Sequence, residues 1–341
     1  MTRARIGLMG FGRIGRNVFR KVYDHPDFEV AAIVDISDPA GLTYLLKYDS
    51  IYGRFPVPIE LSDGAIFLDG RRIPFNDARE PGEVDWGALG VDVVVQATGS
   101  YRTREWCAKH LEAGARNVIL ASTPDTPGDI PILLKGVNDE ILAEDPTIVS
   151  MGSNTSNALA PILRVLDASF GLERAFFTVV HAMTNSQRLA DVPSEGFRQS
   201  RAAGENIIPA DTNSADILMQ VLPEYEGKLS GVALNVPVAD GSTVDLVAQV
   251  KTAATIEAIN SAVRSASEAS YSGIIEYSED PIVSSDVHGS SHSGVFDSLA
   301  TMVMDDTLVK TITWFNNGWG YTNRIVEVAG EMAKAKEGAS A

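Results

Sequence analysis

The eleven residues Arg5–Gly15, RIGLMGFGRIG, decide the fold. A short apolar run leads into the pattern G-x-G-x-x-G, whose first two glycines are Gly10 and Gly12. An apolar run, a glycine turn and then helical spacing predict a strand, a tight turn and a helix. The helix is predicted over residues 14–23 and a second strand over residues 28–35. Together these elements form a βαβ unit.

The same stretch also predicts a ligand. Glycines at these positions let the backbone approach a pyrophosphate, which the N-terminus of the following helix favours. Asp35 ends the second strand, twenty residues after Gly15, where a carboxylate accepts hydrogen bonds from a ribose diol and repels a 2′-phosphate. A glycine-rich turn with no ligand is the alternative, but the strand and helix around the motif disfavour it. We therefore expect a dinucleotide site that prefers NAD to NADP.

The rest of the first half continues the alternation of strands and helices. Strands are predicted over residues 91–98 and 117–121, and a helix over residues 104–113. Their near-continuous Val and Ile runs are typical of a parallel sheet covered on both faces. Residues 48–80 contain turn signals that predict hairpins. The sequence thus predicts an α/β fold with an N-terminal Rossmann domain.

The pattern changes near residue 150, where we place a domain boundary. A helix is predicted over residues 157–170, and long strands then alternate with helices. This second part is predicted to be an α+β catalytic domain with a mixed or antiparallel sheet. The predicted domains are residues 1–152, completed by a C-terminal helix over 321–336, and residues 153–320.

Composition excludes several classes of protein. The 341 residues carry 28 Lys and Arg against 45 Asp and Glu, a net charge of −17, which opposes binding to nucleic acid or anionic lipid. With a single cysteine, Cys107, no internal disulfide forms, and no apolar run is long enough to span a membrane. We expect a cytoplasmic protein with a small-molecule substrate and neither nucleic-acid nor membrane partners.

Ordered motifs along nearly the whole chain resemble the glyceraldehyde-3-phosphate dehydrogenase family. They are the segments IGLMGFGRIGR, LLKYDS, ATG, SNALAP, TVVHA, RAA, NIIP, LPE, GKL and WFNNGWGY. The resemblance implies NAD as cofactor. It also implies a homotetramer, because the segment 188–209 corresponds to a loop that packs between subunits in this family. The cofactor residues it implies, together with the glycine motif, are Gly10, Gly12, Arg13, Ile14, Gly15, Asp35, Thr98, Gly99 and Asn317.

One departure from the family concerns its chemistry. The family's nucleophilic cysteine corresponds to Asn154, and an amide has no lone pair suited to forming a thioester. Cys107 lies on a predicted helix of the first domain, where it is expected to pack as a small apolar residue. Phosphorylating oxidation of glyceraldehyde 3-phosphate is therefore excluded as the predicted activity.

The resemblance also implies the substrate site. His181 corresponds to the family's catalytic base, with a buried structural histidine as the alternative. Asn317 corresponds to the residue that holds the nicotinamide carboxamide, with a turn role as the alternative. Asn235 stands where the family has an arginine, so one cation of the anion site is missing. The residues that fall on the remaining phosphate-binding positions are Ser153, Thr155, Thr184, Arg198 and Thr212.

Two functions follow as hypotheses. The first is an NAD-dependent oxidoreductase that interconverts an alcohol and a carbonyl on a small anionic substrate with a phosphate or phosphonate, using His181 and Asn154 as catalytic residues. The second is a catalytically silent NAD-binding homologue with a sensor or structural role. No metal site is predicted, because His288 and His292 lie in a Gly/Ser loop without a third ligand.

Overall fold

The computed structural model describes residues 3–194 and 196–337. In chain order the strands and helices are β1 (Ala4–Met9), α1 (Arg13–Val22), β2 (Phe28–Val34), α2 (Pro39–Lys47), β3 (Tyr48–Asp49), β4 (Gly53–Arg54), β5 (Glu60–Ser62), β6 (Ala65–Leu68), β7 (Arg71–Asn76), β8 (Val93–Gln96), α3 (Arg104–Glu112), β9 (Asn117–Leu120), β10 (Ile148–Ser150), α4 (Asn154–Phe170), β11 (Leu172–His181), β12 (Ile208–Ala210), α5 (Ser214–Val221), β13 (Leu229–Asn235), β14 (Ser242–Val250), α6 (Ile256–Glu268), β15 (Ile275–Ser278), β16 (Gly294–Met304), β17 (Leu308–Phe315) and α7 (Trp319–Glu337). The described chain divides into two compact units, one of residues 3–133, 138–152 and 322–337, the other of residues 134–137 and 153–321.

The first unit contains an eight-stranded sheet in the order β10-β9-β8-β1-β2-β7-β6-β5. From β10 to β7 neighbouring strands run parallel, whereas β6 is antiparallel to both β5 and β7. All four residues of β8 are buried, as expected for a strand covered on both faces. The Rossmann prediction is confirmed. Because β1, β2 and β8 are parallel, their carboxyl ends lie at the same edge of the sheet.

The predicted hairpins of residues 48–80 are present as β3–β4 and β5–β6–β7. Two of their turns require unusual backbone angles. Asp63 and Gly64 have φ of 49° and 65°, and Asp69 and Gly70 have 47° and 75°. An Asp-Gly pair with positive φ at both residues gives the turn whose twist matches the flanking strands.

The C-terminal helix α7 returns to the first unit. The side-chain amide of Asn117, on β9, donates to the main-chain oxygen of Met332 at 3.3 Å. Arg324 is only 1% exposed and pairs with Glu327 one turn later at 2.6 Å. Burial lowers the pKa of the Arg324 guanidinium, and the neighbouring carboxylate opposes that shift.

The second unit contains a seven-stranded sheet in the order β12-β13-β11-β14-β17-β16-β15. β11 is parallel to β13 and β15 to β16, while the other neighbours are antiparallel. The predicted mixed sheet is confirmed.

Helix α4 begins three residues earlier than the sequence predicted. Its N-cap is Ser153, whose hydroxyl accepts from the N–H of Ser156, while the Ser156 hydroxyl accepts from the N–H of Ser153. This reciprocal capping box fixes the helix start. Apolar spacing, used for the prediction, detects the buried face of a helix but not a polar first turn. As a result, Asn154 is the first helical residue rather than part of a preceding loop.

Candidate active site

In the first unit, a cavity of about 380 Å³ lies at the carboxyl ends of β1, β2 and β8. Of the predicted cofactor residues, Gly10, Gly12, Asp35 and Thr98 line it. Arg13, Ile14 and Gly15 lie just beyond, where α1 begins, and Gly99 follows Thr98 in an exposed turn. The lining residues that sequence reasoning missed include Ile36, Arg79 and Tyr101. The sequence could have indicated Ile36, because it directly follows Asp35, the carboxylate predicted to bind the ribose.

The glycines fit a bound pyrophosphate. A side chain at Gly15 would place its Cβ 2.1 Å from the carbonyl oxygen of Gly10, so only glycine allows this close approach. A Cβ at Gly12 would meet nothing within 4 Å, so the space beside the turn is open. Gly12 also caps α1 without a side-chain hydrogen bond. The first turn of α1 therefore presents main-chain N–H groups that no capping side chain occupies, which is the donor set that a phosphate needs.

The backbone around Asp35 fixes its carboxylate at this cavity. Oδ2 accepts from the N–H of Phe11 at 2.7 Å, and Oδ1 accepts from the N–H of Ser37 at 2.9 Å. Each carboxylate oxygen accepts more than one hydrogen bond. A ribose diol can therefore bind Asp35 without displacing either contact.

The second unit contains a larger cavity of about 640 Å³, lined mostly by Ser, Thr, Asn and Gln side chains. It brings together seven of the predicted catalytic and substrate residues: Ser153, Asn154, Thr155, His181, Thr184, Thr212 and Asn235. Arg198 is not among them. Arg198 is exposed, and so is the next residue, Gln199, which does line the cavity. Residues 197–200 form a turn.

The hydroxyl groups at one side of this cavity bond to one another. The Thr212 hydroxyl donates to that of Ser214 at 3.0 Å, and Ser214 in turn lies 3.2 Å from the hydroxyl of Ser153. Ser153 continues the chain to Ser156 at 2.8 Å. The sequence missed Ser214, which is buried and begins α5.

Asn154 is bonded at both ends of its side-chain amide. Nδ2 donates to the main-chain oxygen of Asn317 at 3.0 Å, and Oδ1 accepts from the N–H of Thr155 at 2.8 Å. The amide is thus held in one orientation at the cavity wall.

A hydrogen-bond chain fixes the tautomer of His181. Nδ1 lies 2.6 Å from the carbonyl oxygen of Ala182, which only accepts, so Nδ1 carries a proton. The Ser242 hydroxyl accepts from the N–H of Ala182 and therefore donates to Oδ1 of Asn317, at 2.8 Å. This leaves the Asn317 NH₂ facing the imidazole, 3.2 Å from Nε2 and 3.5 Å from Nδ1. Because the two distances are similar, the NH₂ lies beside the ring and not along the lone pair of Nε2. Sequence reasoning missed Ser242.

Asn317 is itself positioned by a buried carboxylate. Its side chain is 6% exposed, and its main-chain N–H donates to Oδ1 of Asp240 at 3.1 Å. Oδ2 of Asp240 accepts from the side-chain amide of Asn316 at 2.8 Å. Asp240 thereby fixes the loop that follows β17.

Cys107 lies far along the chain from these groups, in the first unit. Its side chain is 0% exposed and packs with Val118, Leu120, Ile130 and Ile148. Burial raises the pKa of its thiol to about 12. The thiolate is the nucleophilic form of cysteine, so this thiol is unreactive at neutral pH.

The two loop histidines have separate partners. Nε2 of His288 lies 3.1 Å from the main-chain oxygen of Asp240, and Nδ1 of His292 lies 3.1 Å from Oε2 of Glu276. Within residues 3–194 and 196–337 there is no group of three His, Cys, Asp or Glu side chains placed to hold a metal ion. No helix in these ranges is both long and apolar enough to cross a membrane.

Comparison with known proteins places these sites in a family. Residues 4–104 match the family model described as the NAD binding domain of glyceraldehyde 3-phosphate dehydrogenase, and residues 153–317 match that of its C-terminal domain. The chain belongs to the glyceraldehyde-3-phosphate dehydrogenase family. It is 44% identical to the glyceraldehyde-3-phosphate dehydrogenase of Geobacillus stearothermophilus over 332 residues, covering 96% of this chain and 98% of the relative. It is 43% identical to glyceraldehyde-3-phosphate dehydrogenase 1 of Bacillus subtilis, covering 97% and 98%.

Family membership indicates which domain of the family each unit corresponds to. The cavity at the glycine turn belongs to an NAD-binding domain, and the chain is an NAD-binding oxidoreductase of the glyceraldehyde-3-phosphate dehydrogenase family. The cavity with Asn154 and His181 belongs to the C-terminal domain of that family.

Proposed function

We propose that this member of the family transfers hydride between NAD and a small alcohol or carbonyl compound without forming a thioester. The observation that carries the proposal is the pairing of Asn154 with His181 in one cavity, together with the burial of the chain's single cysteine elsewhere. Asn154 stands at the position of the family's nucleophile. Neither its amide nor the protonated thiol of Cys107 supplies a nucleophile. Carbonyl reduction and alcohol oxidation need none.

The proton step belongs to His181. In alcohol oxidation the substrate O–H donates to Nε2, and the proton passes to that nitrogen as the C=O bond forms. The Ala182 carbonyl holds the proton on Nδ1 throughout, which keeps Nε2 as the acceptor. NAD, when bound, accepts the hydride from the same carbon. In the reverse direction the imidazolium returns its proton to the carbonyl oxygen.

Asn154 has the role of a neutral hydrogen-bond partner. Its Nδ2 is held toward the loop of Asn317, and its position in the lining of the cavity supports a contact with the reacting oxygen. An amide donor stabilises negative charge that develops on a carbonyl oxygen during reduction.

The cofactor contacts are proposed for the residues at the glycine turn and the strand ends. These are Gly10, Gly12, Arg13, Ile14, Gly15, Asp35, Thr98 and Gly99, with Asn317 proposed for the nicotinamide carboxamide. Oδ1 of Asn317 accepts from Ser242, and Nδ2 lies near the His181 ring, so the second lone pair of Oδ1 and the second N–H of Nδ2 would make this contact.

The sequence also predicted a phosphate or phosphonate on the substrate. Hydroxyl groups of Ser153, Thr155, Thr184 and Thr212 at the cavity support a polar substrate. Asn235 and Gln199 line the same cavity as uncharged side chains, and Arg198 does not line it, so the charged partner of a phosphate is missing there.

A second candidate is a silent NAD-binding homologue. It is favoured by the hydrogen bonds that Nδ2 and Oδ1 of Asn154 each make inside the protein, as a structural residue would. Substrate turnover distinguishes the oxidoreductase from the silent homologue, because only the oxidoreductase turns over a substrate.

The test is oxidation of NADH with a panel of small hydroxylated aldehydes and ketones. We expect His181→Ala to lower kcat by about 10²–10⁴ with NADH affinity unchanged. His292→Ala is the matched control, since His292 does not line the cavity, and it should retain full activity. Pretreatment with iodoacetamide should also leave turnover intact. A wild type that binds NADH but reduces no compound of the panel would favour the silent homologue.

A further inference from the structure

Next to the cofactor cavity of the first unit, strand β8 ends in a buried amide, the side chain of Gln96, which is 1% exposed. Its Nε2 donates to the hydroxyl of Thr98 and to the main-chain oxygen of Ser100, in both cases at 3.0 Å. Thr98 and Ser100 line the cavity, and Gln96 is not among the residues that do. The amide therefore holds the turn at the cavity edge from its buried side.

The turn that Gln96 holds has a backbone that needs support. Tyr101, which also lines the cavity, has a φ of 57°. A positive φ is unfavourable for a residue with a large side chain, so the surrounding structure must impose it. The Thr98 hydroxyl accepts from the N–H of Ser100 and donates to its carbonyl oxygen, at 3.1 and 3.0 Å. With the bond from Gln96, the one donor and two acceptor positions of this hydroxyl are all used inside the turn.

The same turn lies against the glycine turn between β1 and α1. A Cβ added at Gly10 would come within 2.6 Å of the main-chain carbon of Ala97 and of the main-chain nitrogen of Thr98. The two turns are thus in close main-chain contact, and atoms packed this closely do not shift independently. The placement of Thr98 therefore affects the glycine turn, where the pyrophosphate contacts are proposed.

The orientation of the Gln96 amide is set by His110 on α3. Nε2 of His110 lies 3.2 Å from Oε1 of Gln96, and its Nδ1 lies 3.0 Å from the indole nitrogen of Trp86. An indole N–H only donates, so Nδ1 is the acceptor and the proton of the neutral ring is on Nε2. Nε2 then donates to Oε1 of Gln96. This leaves the NH₂ group of Gln96 for the turn.

These bonds form a chain with one consistent direction. The chain begins at a group that only donates, the indole of Trp86, and ends at one that only accepts, the carbonyl oxygen of Ser100. A reversed Gln96 amide would place its oxygen against that carbonyl and its NH₂ against the N–H of His110. Trp86 is itself fixed, since it is fully buried and a Cβ at Gly7 on β1 would come within 2.6 Å of its ring. The chain thus connects the core of the first unit to the cofactor cavity.

We propose that His110 and Gln96 are positioning residues for the cofactor, which hold the turn of Thr98 and Ser100 in the conformation that binds NAD. The proposal rests on the NAD-binding domain and on the proposed cofactor contact of Thr98, and it is independent of the reaction. A hydrogen bond between neutral groups accounts for about 2- to 12-fold in an equilibrium constant. Loss of both bonds from Gln96 to the turn should therefore weaken NADH binding by about tenfold.

The test compares the affinity of the full-length protein for NADH, measured by fluorescence titration at neutral pH, with its stability in urea. Gln96→Met keeps an unbranched side chain of similar length but donates no hydrogen bond, so it should raise the Kd of NADH by about tenfold. His110→Phe should also raise the Kd, because the Gln96 amide loses the partner that orients it. His110→Gln should restore the wild-type Kd, since an amide both accepts and donates, as the neutral imidazole does. Where His110→Phe does not fold, Gln96→Met and His110→Gln carry the test.

Two comparisons separate positioning from a general loss of stability. If His110 acts through Gln96, the double variant Gln96→Met/His110→Phe should have the Kd of Gln96→Met alone. Val118→Ala removes buried apolar atoms on β9, away from the hydrogen-bond chain, so it should lower the free energy of unfolding and leave the Kd unchanged.

Three results would overturn the proposal. They are a folded Gln96→Met protein with the wild-type Kd, a double variant in which the two single effects multiply, and a Val118→Ala protein whose Kd rises as much as that of Gln96→Met. Turnover does not enter these measurements. Failure to reduce any carbonyl compound therefore bears on the proposed function alone.

Discussion

Asn154 donates a hydrogen bond from its side-chain Nδ2 to the main-chain oxygen of Asn317 across 3.0 Å. The bond joins the first turn of α4 to the loop after β17. Because the side chain of Asn317 also contacts the ring of His181, Asn154 and the proposed base share one partner. A thiol at position 154 cannot reproduce this bond, since it is at best a weak donor.

We therefore predict that a cysteine at position 154 does not give this chain the phosphorylating reaction. In Asn154→Cys we expect no phosphate-dependent NADH formation from glyceraldehyde 3-phosphate, because the loop contact is lost and the cavity still lacks a cation. Asn154→Ala should reduce turnover of the protein's own substrate by about tenfold for each 1.4 kcal/mol of hydrogen bonding lost. NADH absorbance follows both reactions. Efficient oxidation by the Cys single variant would mean that the cavity has kept the family's substrate preference.

Cofactor choice should depend on Asp35. We predict that the wild type binds NADH more tightly than NADPH, and that Asp35→Ala weakens NADH binding by roughly 10- to 150-fold while narrowing that difference. Fluorescence titration measures both affinities. Asp38→Ala is the control, because Asp38 caps α2 and does not line the cofactor cavity. Tighter binding of NADPH than NADH by the wild type would contradict the prediction.

Acid should destabilise the first unit through His110. Its Nδ1 accepts from the indole N–H of Trp86 at 3.0 Å and its Nε2 lies 3.2 Å from Oε1 of Gln96, so the buried ring is neutral. Burial lowers its pKa from 6.5 to about 4. A base whose pKa is lower in the folded state stabilises the fold fully above the unfolded value, and that contribution is lost as pH falls from about 6.5 to about 4, to a total of about 3 kcal/mol.

The measurement for His110 is urea unfolding of the wild type and His110→Gln between pH 7 and pH 4. The difference in unfolding free energy between the two proteins should shrink as the pH falls, because glutamine does not titrate. Parallel pH curves for the two proteins would show that His110 does not carry this dependence.

A homotetramer is the expected assembly, and the second unit has a surface suited to it. On its sheet, Phe176 is 66% and Val232 54% exposed, and Met302 and Met304 are also exposed. Apolar patches of this kind on a sheet commonly mark protein–protein contacts. Light scattering at micromolar concentration should give the mass of four chains, and Phe176→Glu should lower it. A wild-type monomer would refute the assembly.

Local sequence determined the fold of the first unit to a large extent. Neighbouring residues set the local conformation of the glycine turn, the Asp-Gly turns and the apolar strands 28–35 and 91–98. A short stretch of sequence is therefore enough to predict each of them. The early start of α4 was missed, because a polar first turn gives no periodic signal.

Both the sequence and the tertiary structure were needed to identify the residues of the candidate active site. Matching of motifs gave His181, Asn154 and the hydroxyl set, because those residue types follow recognisable segments. It did not give Ser242, Ser214 or Gln199. Ser214 and Ser242 act through partners 61 and 75 positions away in sequence, and Gln199 was identified only by its place in the lining of the cavity.

Residue identity alone gave the amide at Asn154, since the chemistry of one side chain can be read without its neighbours. The charge of the substrate cavity and the tautomer of His181 were decided only by tertiary structure. Both depend on which distant side chains converge, and on which donors and acceptors they have already satisfied.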